Sequence, residues 1–407
     1  MSAARRLSRS ALTLLISSGG GALLLFALSA VIGRGTGQTG LGVYAAALAW
    51  VFPLALLAEF GLGTLITRDA AQDAHSGPLY LQATLRARLL LGGGLSGGLF
   101  AAAPLLSSEA AVVDGLRLSA PLVLFAPLFA ALTAVFRARQ VMWPVALLNL
   151  GMLGAQLPLT AIALAAGGDA RAALAINTAT SAGQLGAAWL IYRWRFALPV
   201  TAPLPPARAL LRRARPFALA GVLAALQARL GLLLLEQIAG TGETGYYAAA
   251  SRFIEAGRLA PMALFTALLP ALAALMARPG EMARLFRRVL IGVSVYAGAL
   301  AVSFTALAEP ALRLAFGEGF SPAAPALVIG AWGLLAALPR AALTLYWYAR
   351  AGERFVNGVL AAILAGQVAL GLWLIPLHGA AGAALALALV EAGALAALWM
   401  RRNALRQ

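Results

Sequence analysis

Cysteine and lysine are both absent from the 407 residues, and histidine occurs only twice, at His75 and His378. Without cysteine there are no disulfides, no thiolate nucleophile and no sulfur-based metal site. The two histidines stand apart in expected loops, outside any His-Glu-x-x-His or Ser-His-Asp setting, and no Walker motif occurs. On these grounds no enzymatic activity, cofactor or metal is expected. Charge is scarce as well: 11% of residues are charged and 62% are hydrophobic, against about 25% and 45–50% in soluble domains. A soluble globular domain is excluded, and so is disorder, which needs low hydrophobicity with high charge. What charge remains is one-sided, with 31 arginines against 14 acids for a net +17. In a soluble protein that excess would suggest nucleic acid. In a chain this apolar it places arginines at membrane faces, and no nucleic-acid partner is expected. The composition is that of a polytopic membrane protein.

A helix crossing the hydrocarbon layer needs about 20 predominantly apolar residues. Twelve such runs are present. The first half holds 11–32, 42–66, 89–106, 118–135, 142–166 and 172–192. The second holds 216–239, 246–276, 289–307, 323–346, 355–375 and 380–400. The first run is too long for the apolar region of a cleavable signal peptide, and Arg5, Arg6 and Arg9 before it hold the N-terminus in the cytoplasm. With twelve crossings, 23 of the 31 arginines fall in cytoplasmic segments, as the positive-inside rule requires. Arg34, Arg117, Arg171 and Arg313 fall outside, and Arg229, Arg252, Arg258 and Arg340 fall within spans. Omitting one central helix would swap the sides of all that follows and destroy the asymmetry. Trp143, Trp189, Trp194, Trp347, Trp373 and Trp399 lie near expected helix ends, where indoles prefer the interface. Trp50 and Trp332 lie deeper and are expected to pack.

The chain also repeats itself. Gly35-Thr36-Gly37-Gln38-Thr39-Gly40 recurs as Gly240-Thr241-Gly242-Glu243-Thr244-Gly245 at an offset of 205, and Val43-Tyr44-Ala45-Ala46-Ala47 matches Tyr246-Tyr247-Ala248-Ala249-Ala250 at 203. Each copy covers the short outer turn between the first two helices of a six-helix half. Six is even, so the halves keep one orientation and are expected to be parallel repeats about an axis along the membrane normal. The expected fold is thus all-α: two six-helix lobes, 1–195 and 216–407, joined by a cytoplasmic linker at 196–215, with both termini in the cytoplasm. The linker region carries Pro199, Pro203, Pro205, Pro206 and several arginines.

Gly42-Val43-Tyr44-Ala45-Ala46-Ala47, followed by Leu57-Ala58-Glu59-Phe60-Gly61-Leu62-Gly63 and Ile66-Thr67-Arg68, resembles the first helical hairpin of the oligosaccharide flippases. These polysaccharide-biosynthesis exporters belong to the multidrug/oligosaccharidyl-lipid/polysaccharide exporter superfamily. The second half agrees in Pro216-Phe217-Ala218-Leu219-Ala220-Gly221, Ala228-Arg229-Leu230, Gly245-Tyr246-Tyr247-Ala248-Ala249-Ala250 and Leu269-Pro270. The resemblance runs over essentially the whole chain, and the order of its motifs carries more weight than any one of them. It implies a transporter of lipid-linked saccharides in the cell inner membrane, with membrane lipid and polysaccharide-assembly proteins as partners. One departure matters. Relatives often carry an aspartate shortly after the arginine of the seventh span, whereas Arg229-Leu230 is followed here by Gly231, with Glu236 the nearest acid.

Ionisable groups inside a membrane are costly and mark functional sites by default. Eight are expected within spans: Glu59, Arg229, Glu236, Arg252, Glu255, Arg258, Arg340 and Glu391. Arg229, Arg252, Arg258 and Arg340 are candidates to line a cavity and bind the pyrophosphate of an isoprenoid-linked oligosaccharide, because guanidinium stays charged and grips phosphate in bidentate fashion. Glu59, Glu236, Glu255 and Glu391 are candidates for coupling to H+ or Na+. Against this stands a packing role, with Glu236–Arg252 and Glu255–Arg258 as internal ion pairs, Arg340 reaching toward the cytoplasmic face, and Glu391 alone in a run of Ala, Leu and Gly. The leading expectation is a flippase working by alternating access. The alternatives are an ion-coupled multidrug exporter, which intramembrane arginines disfavour for cationic drugs, and a membrane glycosyltransferase or polymerase, which the short outer loops disfavour.

Overall fold

The computed structural model describes residues 3–63, 76–139, 141–195, 207–276, 278–350 and 352–404. Arg68, His75 and the linker residues 196–206 lie outside them. Among the described residues there are helices and no strands. In chain order they are α1 (Ala3–Glu59), α2 (Ser76–Leu106), α3 (Ala110–Ser119), α4 (Leu122–Ala138), α5 (Trp143–Ala165) and α6 (Ala170–Arg195). There follow α7 (Ala207–Gly257), α8 (Leu259–Ala274), α9 (Pro279–Phe316), a 3-10 turn (Glu318–Ala323), α10 (Ala324–Ala349) and α11 (Glu353–Ala404). Among the described residues eight helical stretches are long and apolar enough to cross a membrane, and the chain is a multi-pass membrane protein.

Three of the helices are too long for one crossing, and each is broken at a glycine in a conformation that side chains resist. The breaks are Gly37 in α1 (φ 69°), Gly240 in α7 (φ 82°) and Gly379 in α11 (φ 52°). They fall between the expected spans 11–32 and 42–66, 216–239 and 246–276, and 355–375 and 380–400.

Other expected spans are interrupted where the sequence pattern gives no warning. The run 246–276 is broken at Arg258, which separates α7 from α8. There the Gly257 carbonyl accepts a hydrogen bond of 2.8 Å from the Tyr296 hydroxyl on α9, satisfying a group that a broken helix leaves unpaired. The run 118–135 begins in the last residues of α3 and crosses the break between α3 and α4. At that break Thr178 donates to the Leu118 carbonyl at 2.9 Å and Ser96 to that of Ala120 at 2.8 Å. The run 89–106 is only the later part of α2, so Arg88, expected beyond the span, lies inside the fold.

The chain divides into two compact units. The first comprises Met1–Thr36 and Val43–Arg229, the second Gly37–Gly42 and Leu230–Gln407. In the first, Leu81 on α2 packs with Leu132 and Phe136 on α4 and Ala188 and Tyr192 on α6. In the second, Phe286 on α9, Leu338 and Tyr346 on α10 and Ile363 and Leu398 on α11 form the core. Small residues bring backbones close, as is usual for helices in lipid. A Cβ on Gly333 would lie 3.1 Å from that of Ala388, and one on Gly366 would lie 3.0 Å from Val390. Two tryptophans depart from expectation. Trp332 is 48% exposed and donates to Thr305, whereas Trp347 is 5% exposed and donates to the Leu398 carbonyl.

Candidate functional site

The repeated outer turns are built around glycine. In the second unit, a Cβ on Gly42 would collide with the Thr241 carbonyl oxygen, and a Cβ on Gly245 would collide with the Gln38 carbonyl oxygen. Gly42 and Gly245, Gln38 and Thr241, and the two break glycines Gly37 and Gly240 are all separated by 203 residues. The structural register of the repeat is therefore 203, and the offset of 205 that aligns Gly-Thr-Gly-x-Thr-Gly is two residues out. Identical letters matched at 205, but equivalence follows the positive-φ residue and the close approach.

The second copy of the turn also carries Glu243, which the sequence did not single out. Its carboxylate accepts a 2.7 Å hydrogen bond from the Ala380 backbone N–H, immediately after the break at Gly379. A helix start presents unpaired N–H groups and a positive dipole end, so an acid from α7 ties down the second part of α11. A Cβ on Gly379 would overlap that carboxylate and displace it.

The charged residues expected within spans fall into separate settings. Arg229 belongs to the first unit, where its guanidinium lies over the Phe52 ring, 5.1 Å from the centroid. The ring's negative face stabilises the cation without neutralising it. Arg252 pairs with Glu255 at 2.6 Å, one turn along α7. Arg258 stands at the break between α7 and α8. Glu236 is 5% exposed and accepts a 2.6 Å hydrogen bond from the Gln237 side chain.

Glu391 does not stand alone. Its carboxylate receives both Nε and Nη2 of Arg340, the latter at 3.1 Å, and both residues are buried. The two side chains come from α10 and α11 and meet in the core of the second unit. Arg340 therefore points into protein toward Glu391 instead of reaching for the membrane face.

Glu59 lies at the end of α1, followed by a turn in which Phe60 (φ 52°) and Gly61 (φ 65°) both take left-handed backbone. Its carboxylate is 3.9 Å from Nη2 of Arg88, a residue the sequence had placed outside the membrane. Arg88 is fully buried; its Nη1 donates to the Pro127 carbonyl at 2.9 Å, while Nε and Nη2 find no hydrogen-bond partner among the described residues. Gly63 keeps the space open, since its Cβ would stand 2.5 Å from the Glu59 carboxylate. One signal for Arg88 was present. Leu81, Thr84 and Arg88 share a helical face, all buried, whereas Arg86 on the other side is exposed. Among the described residues no group of three or more His, Asp or Glu could hold a metal ion.

The comparisons with known proteins bear on fold and family. A family model described as polysaccharide biosynthesis protein matches residues 7–276. No curated protein matches the sequence. Among solved structures, the chain is similar to the lipid II flippase MurJ in an inward closed conformation, with a TM-score of 0.79 at 14% identity, covering 95% of this chain and 87% of that one. It is similar to a multidrug resistance MATE family transporter of the MOP superfamily in an inward-facing conformation, with a TM-score of 0.77 at 14% identity and coverage of 97% and 99%. A MOP superfamily transporter from Pyrococcus furiosus gives 0.68 at 14% identity, with coverage of 99% and 96%. At such identities these likenesses establish the fold.

Proposed function

We propose, for a chain that belongs to the polysaccharide biosynthesis protein family, that it carries an isoprenoid-pyrophosphate-linked oligosaccharide across the cell inner membrane from the cytoplasmic to the outer leaflet. Arg229 carries this reading. Its guanidinium, held over Phe52 within an apolar helix, is the group whose permanent charge and planar N–H edge suit a phosphate. Arg252, Arg258 and Arg340 are the further candidates for the cargo's pyrophosphate. Glu59, Glu236, Glu255 and Glu391 are the candidates for H+ or Na+ coupling. Arg340 reaches a phosphate only by leaving Glu391, which would link cargo binding to the charge state of that carboxylate.

Twelve crossings with cytoplasmic termini belong to the same reading. Support for it lies in the eight membrane-length stretches among the described residues, three of them broken at a glycine, and in the further helix Ala170–Arg195. Six would lie on each side of the linker at 196–215. Alternating access would then expose the arginines to one membrane face at a time, with polysaccharide-assembly proteins as partners.

A second reading, an ion-coupled multidrug exporter, has support in the likeness to MATE transporters over 97% of the chain. The two separate in proteoliposomes. The flippase reading expects purified protein to move a fluorescent polyprenyl-pyrophosphoryl saccharide between leaflets. It also expects Arg229→Ala and Arg258→Ala to slow that movement about tenfold or more, the weight of one charge-assisted contact. No movement above empty liposomes with a range of saccharides, together with proton- or sodium-driven efflux of a cationic dye, would replace it by the exporter.

A further inference from the structure

We propose that the second unit holds a binding site for one anionic phospholipid, distinct from the arginines assigned to the cargo. The two parts of α11 on either side of Gly379 flank an open apolar trough of about 240 Å³. Val359, Ala362 and Ile363 line one side and Gly393, Ala394 and Ala397 the other. It stays open because α11 is small-residued there. A Cβ on Gly393 would have nothing within 4 Å.

The polar end of the site lies one turn further along the same faces. Phe355 precedes Val359 by four residues and Arg401 follows Ala397 by four, and positions four apart stack along one side of a helix. The Arg401 guanidinium covers the Phe355 ring at 4.1 Å and stands 5.9 Å from that of Trp347. At the same end Arg350 lies over Tyr346 at 5.1 Å. Arg350, Arg354 and Arg401 are all exposed. Aromatic faces hold these cations without cancelling their charge, and the N–H edge of a guanidinium so held suits a phosphate.

An apolar trough ending at a fixed cation matches an acyl chain joined to a phosphate headgroup. The trough is smaller than the roughly 300–1,000 Å³ of a small-molecule site and is lined by apolar side chains, so it takes a length of hydrocarbon and not a saccharide. An inward-facing leaflet rich in anionic lipid attracts basic residues in this way.

The test uses the full chain purified in detergent, with lipid retention read by native mass spectrometry and no transport measured, so its outcome is independent of the flippase reading. Phosphatidylglycerol is expected to be retained on the order of tenfold more strongly than phosphatidylcholine of the same chains, the ratio of one charge-assisted contact. Arg401→Gln should abolish that preference and Arg401→Lys should keep most of it, which separates loss of charge from damage to the fold. Gly393→Leu should weaken both lipids alike by filling the trough. Equal retention of the two lipids by the native protein, a preference that survives Arg401→Gln, or unchanged retention in Gly393→Leu would each overturn the site. Displacement of phosphatidylglycerol by millimolar inorganic phosphate would make it a free-anion site instead.

Discussion

Arg340 and Glu391 form a two-pronged ion pair across α10 and α11, with Nε and Nη2 of the guanidinium both directed at one carboxylate. The pair sits among Leu338, Ala342 and Val390 in the core of the second unit. Two charges removed from solvent are tolerable together and costly apart.

Removing one partner should therefore be worse than removing both. Glu391→Ala is expected to lower stability by about 3–5 kcal/mol, because the guanidinium is left buried without its counter-charge. Arg340→Met combined with Glu391→Leu should recover most of that loss. Thermal unfolding in detergent measures both, and a double variant as unstable as the single would refute a structural ion pair here.

The Glu59–Arg88 pair should respond asymmetrically. Glu59 is 24% exposed and Arg88 is not exposed at all. Glu59→Ala strands a buried cation and is expected to cost about 3 kcal/mol. Arg88→Met leaves a carboxylate that already meets its surroundings, and removes two nitrogens without hydrogen-bond partners among the described residues; it is expected to cost about 1 kcal/mol or less. Equal losses would mean that the pair, and not the buried charge, sets the energy.

The turn glycines supply a test of the repeat register. Gly42→Ala and Gly245→Ala each drive a methyl into a backbone carbonyl and should each destabilise by about 1–3 kcal/mol. Gly242→Ala is the control, because its Cβ would meet only the Gln38 side chain, at 4.0 Å, and it should stay within about 0.5 kcal/mol of the parent. A register of 205 would instead make Gly40, not Gly42, the counterpart of Gly245, so unequal costs at Gly42 and Gly245 would count against 203.

Glu243 and Gly379 are predicted to differ in kind. Glu243→Gln keeps a hydrogen-bond acceptor for the Ala380 N–H and loses only the charge at the helix start, worth about 0.3–1 kcal/mol. Gly379→Ala must bear left-handed backbone, at about 1–2 kcal/mol, and also displaces the Glu243 carboxylate. Stabilities measured for both variants should rank Gly379→Ala as the more damaging, and the reverse order would mean that the carboxylate anchors this part of α11 more than the turn geometry does.

Several features were legible in advance for a plain reason. Glycine at 37 and 240 was visible as part of a repeated motif, and both are break points. The motif did not reveal which glycines correspond, because letters align at 205 while conformation aligns at 203. Arg258 was recognised as a charge within a span, yet the interruption it marks depends on Tyr296, 38 residues away. Arg88 was misplaced because hydropathy runs end at the first charge, whereas helix α2 continues through it and a neighbouring carbonyl receives it.

From the sequence alone follow the helical, membrane-embedded character of the chain, its internal repetition and its shortage of partners for arginine. Each depends on run length, composition or local similarity, which are properties of neighbouring residues. Only the tertiary structure decided which charges are satisfied. Arg340 and Glu391 are 51 residues apart, Glu59 and Arg88 are 29 apart, and Glu243 reaches Ala380 across 137. No periodicity connects such positions. Their pairing is set by the packing of separate helices, and in the interior of a membrane protein that packing determines whether a charge is a structural tie or remains available to a ligand.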